Sequence, residues 1–149
     1  MTSQIPGVVI NKLNRFKDAR GWLSELFRED ELPERFHSVM GYLSVTHPGV
    51  ARGPHEHITQ SDCFCFLSGK FRLTLWFRSE TGILKEVYEM GEENAFLVIV
   101  PPGVVHAYEN IGEQDAFVLN FPDKLYAGKG KKEPVDEIRH EEIHSEFKL

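Results

Sequence analysis

Cysteine is scarce in this chain, with two thiols, Cys63 and Cys65, among 149 residues. Placed two apart on one short segment, they are badly set for a mutual disulfide. They also do not amount to the framework of a secreted, disulfide-stapled domain. Long apolar runs are missing, and none approaches the roughly 18 residues of a membrane span. The opening MTSQIPGVVI lacks the charged and apolar blocks of a signal peptide. Positive charge is in deficit: 17 Lys and Arg stand against 23 Asp and Glu, for a net charge of -6. The longest basic cluster is Lys129, Lys131 and Lys132 in a glycine-rich loop, not the basic face of a nucleic-acid binder. Nucleic acid and membrane are therefore not expected partners, and the expected setting is a reducing cytoplasm. Sustained helical periodicity is the last absence; only 29–36 reads as a short helical turn.

What is present is a series of short apolar, β-branched and aromatic segments separated by turn residues. Strands are predicted over 8–13, 22–28, 38–46, 52–58, 62–67, 71–77, 84–89, 95–100, 106–110 and 116–121. Turn signals such as His47-Pro48-Gly49, Ser68-Gly69-Lys70 and Pro101-Pro102-Gly103 fall between them. Many short strands at this spacing predict an all-β sandwich or barrel. At 17.1 kDa the chain closes one core, so a single domain over 1–149 is expected, with its core over about 7–122. Beyond residue 123 the composition turns polar. That stretch is expected to be a surface arm or helical wrap, docked through Ile138, Ile143 and Phe147.

The most informative stretch is GVARGPHEHITQSDCFCFLSG, residues 49–69. His55 and His57, two apart on a strand, project from one face. Asp62 opens the next strand and shares a face with Phe64 and Phe66. In PPGVVHAYEN, residues 101–110, His106 follows a Pro-Gly turn. Two or three imidazoles and a carboxylate meeting across strands make a candidate divalent-metal site. Cys63 and Cys65 alternate with phenylalanines and are expected to pack in the core. His37, His47, His140 and His144 have no convergent neighbours in sequence and are expected on the surface or in loops.

The two stretches together, Gly-x5-His-x-His-x4-Asp-x6-Gly and Pro-x-Gly-x2-His-x3-Asn, resemble the paired motifs of the cupin superfamily, with Asp62 in place of the usual glutamate. That resemblance implies a jelly-roll β-barrel with the site inside it. A narrower resemblance covers most of the chain. FKDARGWLSELFR, LSVTHPGVARGPHEH and RSETG are similar to segments of the dTDP-4-dehydrorhamnose 3,5-epimerase family, and Tyr126 with DEIRH to its tail. The resemblance implies that His55 removes a proton alpha to a 4-keto group and that Arg52 contacts substrate or phosphate. It further implies substrate contacts from Phe16, Arg20, Trp22, Glu25, Ser44 and Asn120. The family's lysine position falls on Asp62 and its catalytic tyrosine on Asn120, leaving Tyr108 or Tyr126 as candidate acids. Glu141 or Glu142 is the candidate carboxylate for orienting His55. His-x-His after Arg-Gly also resembles the related sugar 3,4-ketoisomerases.

Three functions follow as expectations. The first is a nucleotide-sugar epimerase or isomerase in carbohydrate or polysaccharide biosynthesis, requiring no organic cofactor and acting as a homodimer, in which exchange of an N-terminal strand such as residues 8–13 would cover a sheet edge. The second is a metal-dependent cupin holding Zn, Fe, Mn or Ni on His55, His57, Asp62 and His106. The third is a sugar-binding cupin without activity.

Overall fold

The computed structural model describes residues 1–149 throughout. Its strands, in chain order, are β1 (Val9–Lys12), β2 (Phe16–Asp18), β3 (Gly21–Leu23), β4 (Tyr42–Thr46), β5 (Ala51–Glu56), β6 (Asp62–Phe66), β7 (Lys70–Ser79), β8 (Gly82–Gly91), β9 (Phe96–Val100), β10 (Val104–Asn110), β11 (Ala116–Asn120) and β12 (Ile138–Arg139). They form two five-stranded antiparallel sheets, ordered β1-β9-β6-β11-β4 and β12-β5-β10-β7-β8, with β2 and β3 as a separate hairpin. The result is an all-β, jelly-roll-like sandwich.

Side-chain alternation along each strand divides the apolar residues among three clusters. Between the sheets, Phe64, Phe66, Phe71, Leu73, Leu75, Val98, Val104 and Val118 build the main core. Cys63 and Cys65, one residue out of phase, face the opposite side of β6. There they pack with Leu97, Ile99 and Phe36 beneath the segment that precedes β4. A strand covered on both faces needs apolar residues at every position; in β6 all five residues are buried, and Asp62 is the exception among them in chemistry.

The structure redraws several sequence expectations. The predicted strand 22–28 shrinks to Gly21–Leu23, and β2 pairs with it as a hairpin. The helical turn expected over 29–36 is a single 3-10 turn at Glu29–Glu31. Strand β1, within the predicted strand 8–13, pairs with β9. Residues 123–149 form no helical wrap. They run as an extended strap, broken by 3-10 turns at Lys129–Lys131 and His140–Glu142, and β12 pairs with β5. The strap anchors through Phe147, which joins Trp76, Val105 and Ala107 on the outer face of the second sheet, whereas Ile143 stays exposed. His140, expected at the surface, is buried. Its Nε2 lies 2.8 Å from Glu56 and its Nδ1 2.9 Å from the Ser145 hydroxyl, and its ring stands edge-on to Phe147. No helix is long and apolar enough to cross a membrane.

Candidate active site

The mouth of the sandwich opens into a cavity of about 670 Å³, within the range of small-molecule sites. Arg52, His55, His57, Asp62, His106, Tyr42, Ser44, Tyr108 and Tyr126 line it, together with strap residues that include Glu137 and Arg139. Of the residues singled out in the sequence, Asn120 lies just beneath the wall. Phe16, Arg20, Trp22 and Glu25 do not reach the cavity. Phe16 and Trp22 are exposed on the hairpin, Arg20 pairs with Asp18, and Glu25 lies beside Arg28.

A β-bulge brings Arg52 and His55 into one cavity. Three residues apart, they would face opposite sides of a regular strand. Opposite β10, however, His55 pairs with His106 and Arg52 with Tyr108, so β5 spends one more residue than β10 between the two pairs. The extra residue re-phases the strand. Gly53 makes this possible: its φ is +91°, and a Cβ there would come within 2.6 Å of the His106 carbonyl oxygen. Gly53-Pro54 is a cis peptide.

His55 carries a carboxylate on each side. Its Nε2 donates to Glu141 at 2.8 Å, and Glu137 stands 3.5 Å from Nδ1. An ionised carboxylate only accepts, so Nε2 holds the hydrogen and the basic lone pair is left on Nδ1. Glu142 instead meets Arg139 at 3.2 Å. Arg52 donates to Thr46 Oγ1 and the Val45 carbonyl and has no carboxylate partner, which keeps its charge available for an anionic ligand.

Deeper in, His57, Asp62 and His106 converge, with candidate ligand atoms within 4.8 Å of one another; His55 is not part of this set. Asp62 is 2 % exposed. Its Oδ2 lies 3.1 Å from His57 Nε2 and 3.2 Å from His106 Nε2, while Oδ1 accepts from Gln60 and Asn120, both at 2.9 Å. The far nitrogens are also committed: His57 Nδ1 to the Asp136 carbonyl and His106 Nδ1 to the Val104 carbonyl. Carbonyls only accept, so each Nδ1 carries a hydrogen. In the neutral ring the Nε2 lone pair would then face an Asp62 oxygen. At His57 the Gln60 amide, 3.3 Å from Nε2, offers one hydrogen to that lone pair; a second proton on the ring, or a cation between the groups, relieves the repulsion more fully. Without a cation, burial opposes charging His57, but the Asp62 hydrogen bond and charge prevail and raise its pKa to about 9. Burial likewise opposes the Asp62 charge, yet the bonds from His106 and His57 hold its carboxyl well below the ordinary range. Outer partners that fix Nδ1 and leave Nε2 facing inward are also how proteins present histidine to a metal.

Sequence reasoning missed four contributors. Tyr42 sits at the start of β4 and Gln60 in a connection. Glu137 and Asp136 lie in the polar strap. The Asp136 carboxylate accepts from the backbone N–H groups of Ile58, Thr59 and Gln60, and from the Thr59 hydroxyl. Asp62 lies more than 70 residues before this part of the strap, and no local pattern signals the pairing.

Residues 16–132 match the family described as "Polysaccharide biosynthesis C-terminal domain". The chain is 36% identical over 126 residues to the spore coat polysaccharide biosynthesis protein SpsL of Bacillus subtilis (strain 168), covering 82% of each. It is 29% identical to the probable low-salt glycan biosynthesis epimerase Agl13 of Haloferax volcanii, covering 82% of this chain and 81% of that protein. Among solved structures, a dTDP sugar isomerase from Desulfovibrio desulfuricans G20 superposes with a TM-score of 0.76 at 20% identity, over 90% of this chain and 83% of that one. At that identity the likeness is one of fold.

Proposed function

The chain belongs to the polysaccharide biosynthesis C-terminal domain family, and from that premise we propose that it is a nucleotide-sugar epimerase or isomerase of glycan biosynthesis, removing a proton alpha to a 4-keto group. The observation that carries the reading is His55, held by Glu141 at 2.8 Å at the edge of the cavity. Glu141 fixes the orientation and tautomer of the ring, leaving the Nδ1 lone pair to take the proton. Arg52, free of acidic partners, supplies positive charge for the diphosphate or for the developing enolate. Tyr126 and Ser44 line the same space. His55 works without an organic cofactor in this scheme.

The experiment follows solvent deuterium into TDP-4-keto-6-deoxyglucose. Wild-type protein is expected to exchange the proton alpha to the ketone. His55→Asn is expected to lose exchange while still binding TDP. Absence of exchange in the wild type would overturn the enzyme reading and leave a sugar-binding protein.

The inner cluster favours a second reading, a metal-dependent cupin. His57 Nε2, His106 Nε2 and Asp62 fit a divalent cation such as Zn, Fe, Mn or Ni, by donor type and by the lone pairs they turn toward one another. A cation bound there would supply Lewis-acid polarisation of a substrate oxygen. Stoichiometric metal in the purified protein, lost in Asp62→Asn, would establish it.

The setting we propose is cytoplasmic and the assembly a homodimer. Exposed Leu43, Val45 and Phe117 on the outer face of the first sheet, with Phe16, Trp22 and Leu23 on the hairpin, form apolar surface of the kind that marks an interface. Hairpin residues Arg20 and Trp22, distant from their own cavity, would then serve the neighbour's. A monomer by light scattering at micromolar concentration would refute the dimer.

A further inference from the structure

We propose that Tyr42 is the acid that returns a proton to the substrate carbon on the face opposite His55, with Asn120 aiming its hydroxyl. The inference rests on the proton-abstraction reading above and names a group that reading needs. Inverting a carbon requires removal of a proton from one face and delivery of another to the opposite face. Base and acid must therefore stand on different walls of one cavity. His55 lies near the end of β5 in the second sheet, and Tyr42 begins β4 in the first; both line the same cavity.

The hydrogen-bond inventory singles out Tyr42 among the phenols there. Asn120 is buried, and its orientation is fixed because Oδ1 accepts the Cys63 backbone N–H at 2.9 Å. Its amide nitrogen therefore spends one hydrogen on Asp62 at 2.9 Å and the other on the Tyr42 oxygen at 2.7 Å. Tyr42 is the acceptor in that bond. Its own hydrogen is left without a protein acceptor and is free to point into the cavity. A phenol in this state can donate, and the phenolate left behind keeps a hydrogen bond from Asn120.

The alternatives fit less well. Tyr108 is buried at 6 % exposure and its hydroxyl is tied to Ser44 at 2.9 Å. The Tyr126 hydroxyl has no protein partner to aim it, and that residue is 56 % exposed. Tyr42 and Asn120 are direct cross-strand partners on β4 and β11, so the backbone ladder sets the spacing of the pair. Tyr42 is itself 44 % exposed, but unlike Tyr126 its hydroxyl is held by a buried partner, and a phenol with an ordinary pKa of about 10 is protonated at neutral pH.

His55 takes the alpha proton, and the C–H electron pair becomes the enolate. The enolate carbon then takes the Tyr42 proton on the other face as the carbonyl re-forms. Imidazolium and phenolate return to their starting states by proton exchange with water.

The test is Tyr42→Phe in the full-length chain, with TDP-4-keto-6-deoxyglucose in deuterium oxide. Same-face exchange needs only the base, so it is expected to persist within about threefold of wild type. Formation of the inverted product is expected to fall by about 10²–10⁴-fold, the usual contribution of a positioned acid. TDP binding should be unchanged, which also shows that the variant is folded. Product formation at the wild-type rate would overturn the assignment. So would loss of exchange and product together with TDP binding intact, because Tyr42 would then act before reprotonation. If the wild type itself fails to exchange, it is the parent reading that fails.

Discussion

Asp136 gives the sharpest test of how the strap closes the site. Its carboxylate takes three backbone N–H groups and one hydroxyl from residues 58–60, at 2.8 to 2.9 Å, and its carbonyl takes His57 Nδ1. Asp136→Ala removes the four carboxylate bonds and leaves the carbonyl. A single side-chain cap is worth about 1 kcal/mol and a bond to a charged acceptor about 1.5–3 kcal/mol, before water replaces part of the loss. Because Ile58 and Thr59 are exposed, water does replace part of it, and a net cost of about 2–3 kcal/mol is expected.

The pH dependence carries a definite sign. Burial raises the Asp136 carboxyl pKa, but the bonds from Ile58, Thr59 and Gln60 outweigh it and lower the value. A depressed carboxyl stabilises the fold above its unfolded pKa of about 3.9 and loses that stabilisation as pH falls through the folded value. Urea unfolding should therefore show the full gap between wild type and Asp136→Ala at about pH 7 and a shrinking gap below about pH 4. Hydrogen exchange should rise at the amides of 58–60. Solvent-deuterium exchange into substrate should also slow, because Glu137 and Glu141 lie on the strap that Asp136 pins. Unchanged amide protection, or a gap as large in acid as at neutrality, would refute the reasoning.

Two further outcomes concern the inner cluster and the strap's far anchor. In metal-free protein the His57 ring should titrate near 9. Its raised pKa stabilises the fold fully below the unfolded value of about 6.5 and less as pH rises through the folded one; zinc should abolish the titration, and a metal-free titration at or below about 6.5 would contradict the geometry. Phe147→Ala should cost about 3 kcal/mol in urea unfolding, since the ring is 2 % exposed against Trp76, Val105 and Ala107; a loss under about 1 kcal/mol would show that the strap's end is not docked.

Much of the fold was written locally. The alternation in DCFCF assigns Phe64 and Phe66 to one face and the cysteines to the other, because side chains in a strand repeat every two residues. The cupin-like motif spacing put His55, His57, Asp62 and His106 into one candidate set, and the structure brings together three of them, without His55. The resemblance of the Arg-Gly-Pro-His-x-His segment to known families pointed to His55 as the base and to Glu141 or Glu142 as its partner. Tertiary structure alone chose Glu141, because the choice depends on how β12 registers against β5. It also decided that Arg52 and His55 share a cavity, through a bulge that exists only where β5 meets β10. Strap residues Asp136 and Glu137, and the pairing of Tyr42 with the already noted Asn120, were invisible for the same reason. Each works through a partner far away in sequence, and such pairing is fixed by sheet register and strap docking, which no local periodicity encodes.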